Sequence, residues 1–66
     1  MITNNEIATI LMSREVGKIL ADEKQFHTEL FWLCYRYFFG ELTSEEKKFL
    51  IYKLIDDEEY KQELLK

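Results

Sequence analysis

The fold is decided by the stretch FHTELFWLCYRYFF, residues 26–39. Its apolar residues recur at helical spacing, which predicts a helix over about 24–39. Only Thr28, Glu29 and Arg36 are clearly polar after His27. A helix that is apolar nearly all round is buried nearly all round. We therefore expect this helix to be the central pillar of the fold, or partly an interface. Its two adjacent apolar stripes are Phe26, Leu30, Leu33, Tyr37 and Phe31, Cys34, Tyr35, Phe38.

Two further helices are predicted after this stretch. Gly40 stands where a left-handed residue ends a helix. The capping box Thr43-Ser44-Glu45-Glu46 then opens a helix over about 44–55. Asp56 or Asp57 caps a last helix over about 58–65. The expected core positions of these two helices are Leu50, Ile51, Leu54, Ile55 and Tyr60, Leu64, Leu65.

The N-terminal region carries two groups of apolar residues that would point in nearly opposite directions on one helix. The first group is Ile7, Ile10 and Leu11, and the second is Met12, Val16, Ile19 and Leu20. A break at Met12-Ser13 removes this conflict, with Asn4 or Asn5 capping the first helix and Ser13 capping the second. We predict two short helices near 5–11 and 14–23. The alternative is a single helix held between neighbours.

These elements predict an all-α fold: a compact bundle of four to five short helices (about 5–11, 14–23, 24–39, 44–55 and 58–65) in one domain, residues 1–66. The chain has 66 residues, two glycines and no proline, which disfavours an all-β sandwich or barrel. Its one cysteine, Cys34, excludes an intrachain disulfide framework.

Charge and hydropathy indicate the compartment of the protein and the partners it does not have. Thirteen acidic residues against nine basic ones give a net charge of −4, the opposite of the balance typical of nucleic-acid binders. No stretch approaches the roughly 20 apolar residues that cross a membrane. The N-terminus lacks the basic region of a signal peptide. We expect a cytoplasmic protein with a reduced thiol, no membrane contact and no nucleic-acid partner.

No catalytic, cofactor or metal site is predicted. His27 and Cys34 are seven residues apart, about 10 Å along a helix, which is too far for a nucleophile and its base. A metal site would need further ligands, and the chain has no other His or Cys. We expect Cys34 to be a small buried apolar residue, His27 a surface or boundary residue, and the protein not to be an enzyme.

Protein binding is indicated by ten aromatic residues (one Trp, four Tyr, five Phe) in so short a chain. Aromatic residues and Arg dominate interface hot spots. The candidate protein-binding residues are Trp32, Tyr35, Arg36 and Phe39 on the outer side of the central helix, and Phe49 and Tyr52 on the next one. The alternative is that these rings all fold into one core. An exposed set would indicate a partner or a homodimer.

The string YRYFFGELTSEE, residues 35–46, is followed by Leu50, Leu54, Asp57, Tyr60 and Leu64. This pattern over residues 30–65 resembles the end of an anti-sigma-factor N-terminal domain. The resemblance implies a small helical module that wraps a sigma factor and occludes its polymerase contacts. The His-x3-Cys-x2-Cys zinc motif of many members is absent, so the similarity is to a zinc-free version.

The string EIATILMSREVGKIL, residues 6–20, is similar to the helix-turn-helix pattern of bacterial repressors. That similarity implies a recognition helix presenting Ser13, Arg14 and Lys18 to DNA. The turn lacks its usual glycine and is at least one residue short. The alternative is two amphipathic helices of the core.

The sequence thus favours a small acidic regulator or inhibitor that binds another protein. The expected target is a sigma factor, RNA polymerase or another nucleic-acid enzyme, and the expected source is a phage or plasmid. Acidic groups would steer the chain to a basic surface. The second hypothesis is a DNA-binding helix-turn-helix homodimer.

Overall fold

A computed structural model describes all 66 residues and contains no strand. Four α-helices follow one another: α1 (Asn4–Leu20), α2 (Glu29–Phe38), α3 (Ser44–Leu54) and α4 (Glu58–Leu65). A single 3-10 turn, Glu23–Gln25, lies between α1 and α2. The predicted all-α bundle is confirmed.

The N-terminal region is one continuous helix, so the predicted pair over 5–11 and 14–23 is wrong. Ser13 lies inside α1, and Thr3 is the N-cap instead of Asn4 or Asn5, because its Oγ1 accepts a hydrogen bond from the Glu6 N–H at 3.1 Å. The alternative of one helix between neighbours is the arrangement found, since α1 packs against both α2 and α4.

Ala8 explains why no break is needed in α1. At about 100° per residue, Ala8 falls between Leu11 and Met12 on the helix surface and joins the two apolar groups into one arc. Ala8 and Met12 are both fully buried, while Ile10 is left exposed. A wide arc of this kind suits a helix that contacts neighbours on more than one side.

The helix predicted over 24–39 begins later, at Glu29. Thr28 caps it, with its Oγ1 accepting a hydrogen bond from the Phe31 N–H at 3.1 Å. His27 is in the left-handed region with φ 71°, which interrupts any helix through that point. Phe26 therefore lies before α2 and is exposed, instead of joining a core stripe.

The remaining helix boundaries follow the local signals. Gly40 has φ 70°, and the N–H groups of Gly40 and Glu41 donate to the carbonyls of Tyr37 and Arg36, as in a Schellman motif. The capping box of Thr43 and Glu46 is present at the start of α3. Asp57 caps α4, because its carboxylate accepts a hydrogen bond from the Tyr60 N–H.

The core is small and wholly apolar. It is formed by α1, α2 and α3 with the residue that follows α3, while α4 covers it with partly buried residues such as Tyr60 and Leu64. No polar side chain is buried. The eight buried residues are Ala8, Met12, Val16, Leu33, Cys34, Leu50, Ile51 and Ile55.

Candidate protein-binding surface

The outward side of α2 is covered by exposed aromatic rings. Trp32, Tyr35 and Phe39 are 51%, 44% and 57% exposed. On the helical wheel they lie opposite Leu33 and Cys34, which are buried in the core. The alternative in which all these rings fold into the core is therefore not the arrangement found.

These rings belong to a continuous series that begins before α2 and ends at its C-terminus. Neighbouring ring centroids are 5.2, 5.8, 5.7, 4.9 and 5.5 Å apart along this series. Most of these pairs meet edge to face, the geometry that aromatic quadrupoles prefer. Each ring of the series therefore packs against at least one other ring. We call this surface the aromatic face: Phe26, Phe31, Trp32, Tyr35, Phe38 and Phe39.

One edge of the aromatic face forms a shallow depression beside the end of α1. The depression has a volume of about 340 Å³ and is lined only by apolar residues. Phe38, at 73% exposed, stands at its rim. Sequence reasoning did not single out Phe26 or Phe38 as exposed residues, although the all-round apolar character of 26–39 was the available signal. The lining consists of Leu20, Phe31, Tyr35, Phe38 and Phe39.

Arg36 borders the aromatic face but is engaged within the fold. Its two terminal nitrogens donate to the two carboxylate oxygens of Glu46, both at 2.8 Å, and so join α2 to α3. The hydrogen bond from Arg36, and then that from the Thr43 N–H, hold the pKa of Glu46 below its usual range. The charge of Arg36 is thus matched, and the aromatic face has no unpaired cation from this residue.

Phe49 and Tyr52 are both exposed on α3, but they border different neighbours. Phe49 lines a groove with Glu29 and Leu30 on the α2 side. Tyr52 lies under the ammonium of Lys61 on α4, 5.3 Å from its ring centroid. The structure therefore brings Trp32, Tyr35 and Phe39 together and leaves these two rings outside that group.

The residues of the helix-turn-helix similarity lie on one uninterrupted helix. Ser13, Arg14 and Lys18 are exposed on α1, and Lys18 forms an ion pair with Glu15 at 3.1 Å. A helix-turn-helix needs a turn between two helices at a steep angle. Residues 6–20 do not form that arrangement.

The residues considered for catalysis are also placed. Cys34 is completely buried, and burial raises the pKa of its thiol to about 11. His27 is exposed and precedes α2, so it does not share a helix face with Cys34. No three His, Cys, Asp or Glu side chains are grouped as a metal site would require.

None of the four helices has the length and apolar character needed to cross a membrane.

Comparison with known protein families, with curated proteins and with solved structures found no match for this chain. Five of the ten exposed large apolar residues of the chain belong to the aromatic face.

Proposed function

We propose that this chain is a regulator or inhibitor that acts by binding another protein through the aromatic face. The single observation that carries the proposal is the exposure of Trp32, Tyr35 and Phe39 on one side of α2. Large contiguous apolar patches on a small domain mark interaction sites, and Trp and Tyr are enriched among hot spots.

The proposed target is a protein with a basic surface. The chain carries a net charge of −4, which would raise the rate of encounter with a positively charged partner. Nucleic-acid enzymes present such surfaces. The anti-sigma-like pattern of residues 30–65 narrows the proposal to a sigma factor, RNA polymerase or another nucleic-acid enzyme in the cytoplasm. A phage or plasmid origin is part of this proposal.

The test is binding of the purified full chain to purified bacterial RNA polymerase and, separately, to its sigma factor. We expect binding that weakens as salt rises, because exposed charges are screened over about 10 Å at about 0.1 M ionic strength. Trp32→Ala is expected to weaken binding about tenfold or more, the effect of a typical hot spot.

Ile10→Ala is the matched control. Ile10 is an exposed apolar residue on α1 outside the aromatic face. It should leave binding unchanged, and circular dichroism would verify that both variants keep their helices. Equal binding by Trp32→Ala and the unchanged chain would contradict the use of this face. Tyr52→Ala reports separately on an exposed ring of α3 that lies outside the aromatic face.

A further inference from the structure

The spacing of the outward residues of α2 indicates what shape would cover them. Trp32, Tyr35 and Phe39 follow each other at intervals of three and four residues. That is the spacing of positions a, d and a in a heptad, the seam along which one helix packs on another. α2 has 10 residues and is about 15 Å long, and the seam from Trp32 to Phe39 covers about 10 Å of rise along it. A second helix of similar length fits it.

The area of the aromatic face is close to what a stable dimer needs. An aromatic side chain presents about 150–250 Å², so the five exposed rings of the face, each near half exposure or above, offer on the order of 500 Å². The largest apolar patch on a typical monomer is about 300–600 Å². A standard interface buries about 800 Å² per partner. The aromatic face with its polar border therefore supplies one side of such an interface.

The face also has the chemistry of a symmetric interface. Its six residues are all aromatic, and the bordering guanidinium of Arg36 is already paired with Glu46. Interfaces of homodimers are more apolar than those of transient complexes, and a two-fold axis sets one patch against itself. An antiparallel α2 pair with its axis close to Tyr35 would bring Trp32 near Phe39 of the partner subunit.

We propose that, in the free protein, a second copy of this chain covers the aromatic face through an antiparallel α2–α2 contact. This dimer proposal rests on the proposed function, in which the target protein binds the same face. The dimer is therefore the resting state. Separation of the two copies then precedes binding of the target. A protein with a core of eight buried residues also gains stability from such a contact.

The test is sedimentation equilibrium of the full chain from about 1 μM to about 1 mM, a range that covers dissociation constants of weak and moderate dimers. We expect the mass to rise to that of a dimer. Since both copies carry a charge of −4, salt should tighten the dimer by screening their repulsion, the opposite of its effect on a basic target. The emission of Trp32, the only Trp, should shift to the blue as the dimer forms.

Tyr35→Lys is expected to abolish the dimer, because two like charges would meet at the axis. Ile10→Lys makes the same change of charge on an exposed residue outside the face and should leave the dimer intact. Should Tyr35→Lys lose its helical signal, Phe39→Lys takes its place, since a cation is favourable at the C-terminus of α2.

A chain that keeps the monomer mass up to the highest concentration would overturn the proposal. Equal self-association of the Tyr35→Lys and Ile10→Lys variants would overturn it too. Neither result bears on target binding, which the binding experiment with RNA polymerase and its sigma factor tests separately. A dimer in a chain that binds neither RNA polymerase nor its sigma factor would refute these two targets of the proposed function and leave the dimer proposal standing.

Discussion

Cys34 shows how the environment of one residue sets its chemistry. The side chain is fully buried on α2, and burial raises the pKa of its thiol from 9.0 to about 11. A thiol is nucleophilic only as the thiolate. At neutral pH the side chain is therefore an apolar part of the core and is protected from alkylation and oxidation.

The raised pKa of Cys34 predicts a loss of stability at alkaline pH. Between pH 9 and 11 the thiol of the unfolded chain is ionised while that of the folded chain keeps its proton. The folded state binds more protons there, so the free energy of unfolding falls as pH rises, by up to about 3 kcal/mol at about 1.4 kcal/mol per pKa unit.

Urea unfolding at several pH values measures this fall. Cys34→Ala is the control, because it removes the thiol and keeps Tyr37, whose pKa burial also raises. The decline should be shallower in the variant. The same slope in both chains would show that Cys34 is not its source.

The two glycines predict opposite effects of the same substitution. Gly17 lies inside α1 with open space at its Cβ position, so Gly17→Ala should stabilise the protein by about 1 kcal/mol. Gly40 also has open space but has φ +70°, so Gly40→Ala should destabilise by about 1–2 kcal/mol. Thermal unfolding of both variants measures the two changes in stability. Effects of equal sign would contradict the left-handed end of α2.

At the scale of elements, the continuity of α1 is the finding that is simplest to test. Arg14 would be the first residue of a second helix if the chain broke at Ser13, and proline is tolerated at that position. Inside a continuous helix, Arg14→Pro should cost about 3 kcal/mol or more. Asn4→Pro is the control, because Asn4 is the first residue of α1 and Thr3 before it is extended. Equal stability of the two variants by urea unfolding would favour the broken arrangement.

The helices that sequence reasoning located well are those with local start signals. The capping box of Thr43 and Glu46 and the cap at Asp57 lie at the starts of α3 and α4 as expected. These signals involve neighbours within four residues, so they need no knowledge of packing.

The predictions for α1 and for the start of α2 are wrong because packing contacts, or a cap residue inside an apolar stretch, determine those helix boundaries. The spacing of the large apolar residues alone predicts a break in α1, because Ala8 is what joins them into one arc, and that arc is favourable only when α2 and α4 both cover it. The start of α2 was missed because Thr28 caps it in the midst of a strongly apolar stretch. Its signal as an N-cap was present in the sequence and was outweighed by the apolar periodicity.

For the molecule as a whole, the sequence does not determine whether the candidate binding residues are exposed. Trp32, Tyr35 and Phe39 share one side of α2 by spacing alone. Whether that side is covered depends on the number of neighbouring helices. In the bundle, α2 packs against α1 and α3, and those contacts leave its third side open. The sequence predicted the group, and the arrangement of the helices shows that it is exposed.

The two apolar sides of α2 have a consequence for how this chain can change over generations. Most helices of a small domain have a solvent side on which substitutions accumulate with little effect. On α2 the inner side packs the core and Arg36 holds α3, while the outer side carries the aromatic face. Under the proposed function, neutral drift should be slowest across residues 29–39 and fastest on the outer surfaces of α3 and α4. New specificity would then arise by exchanging one ring for another, with the helix itself retained.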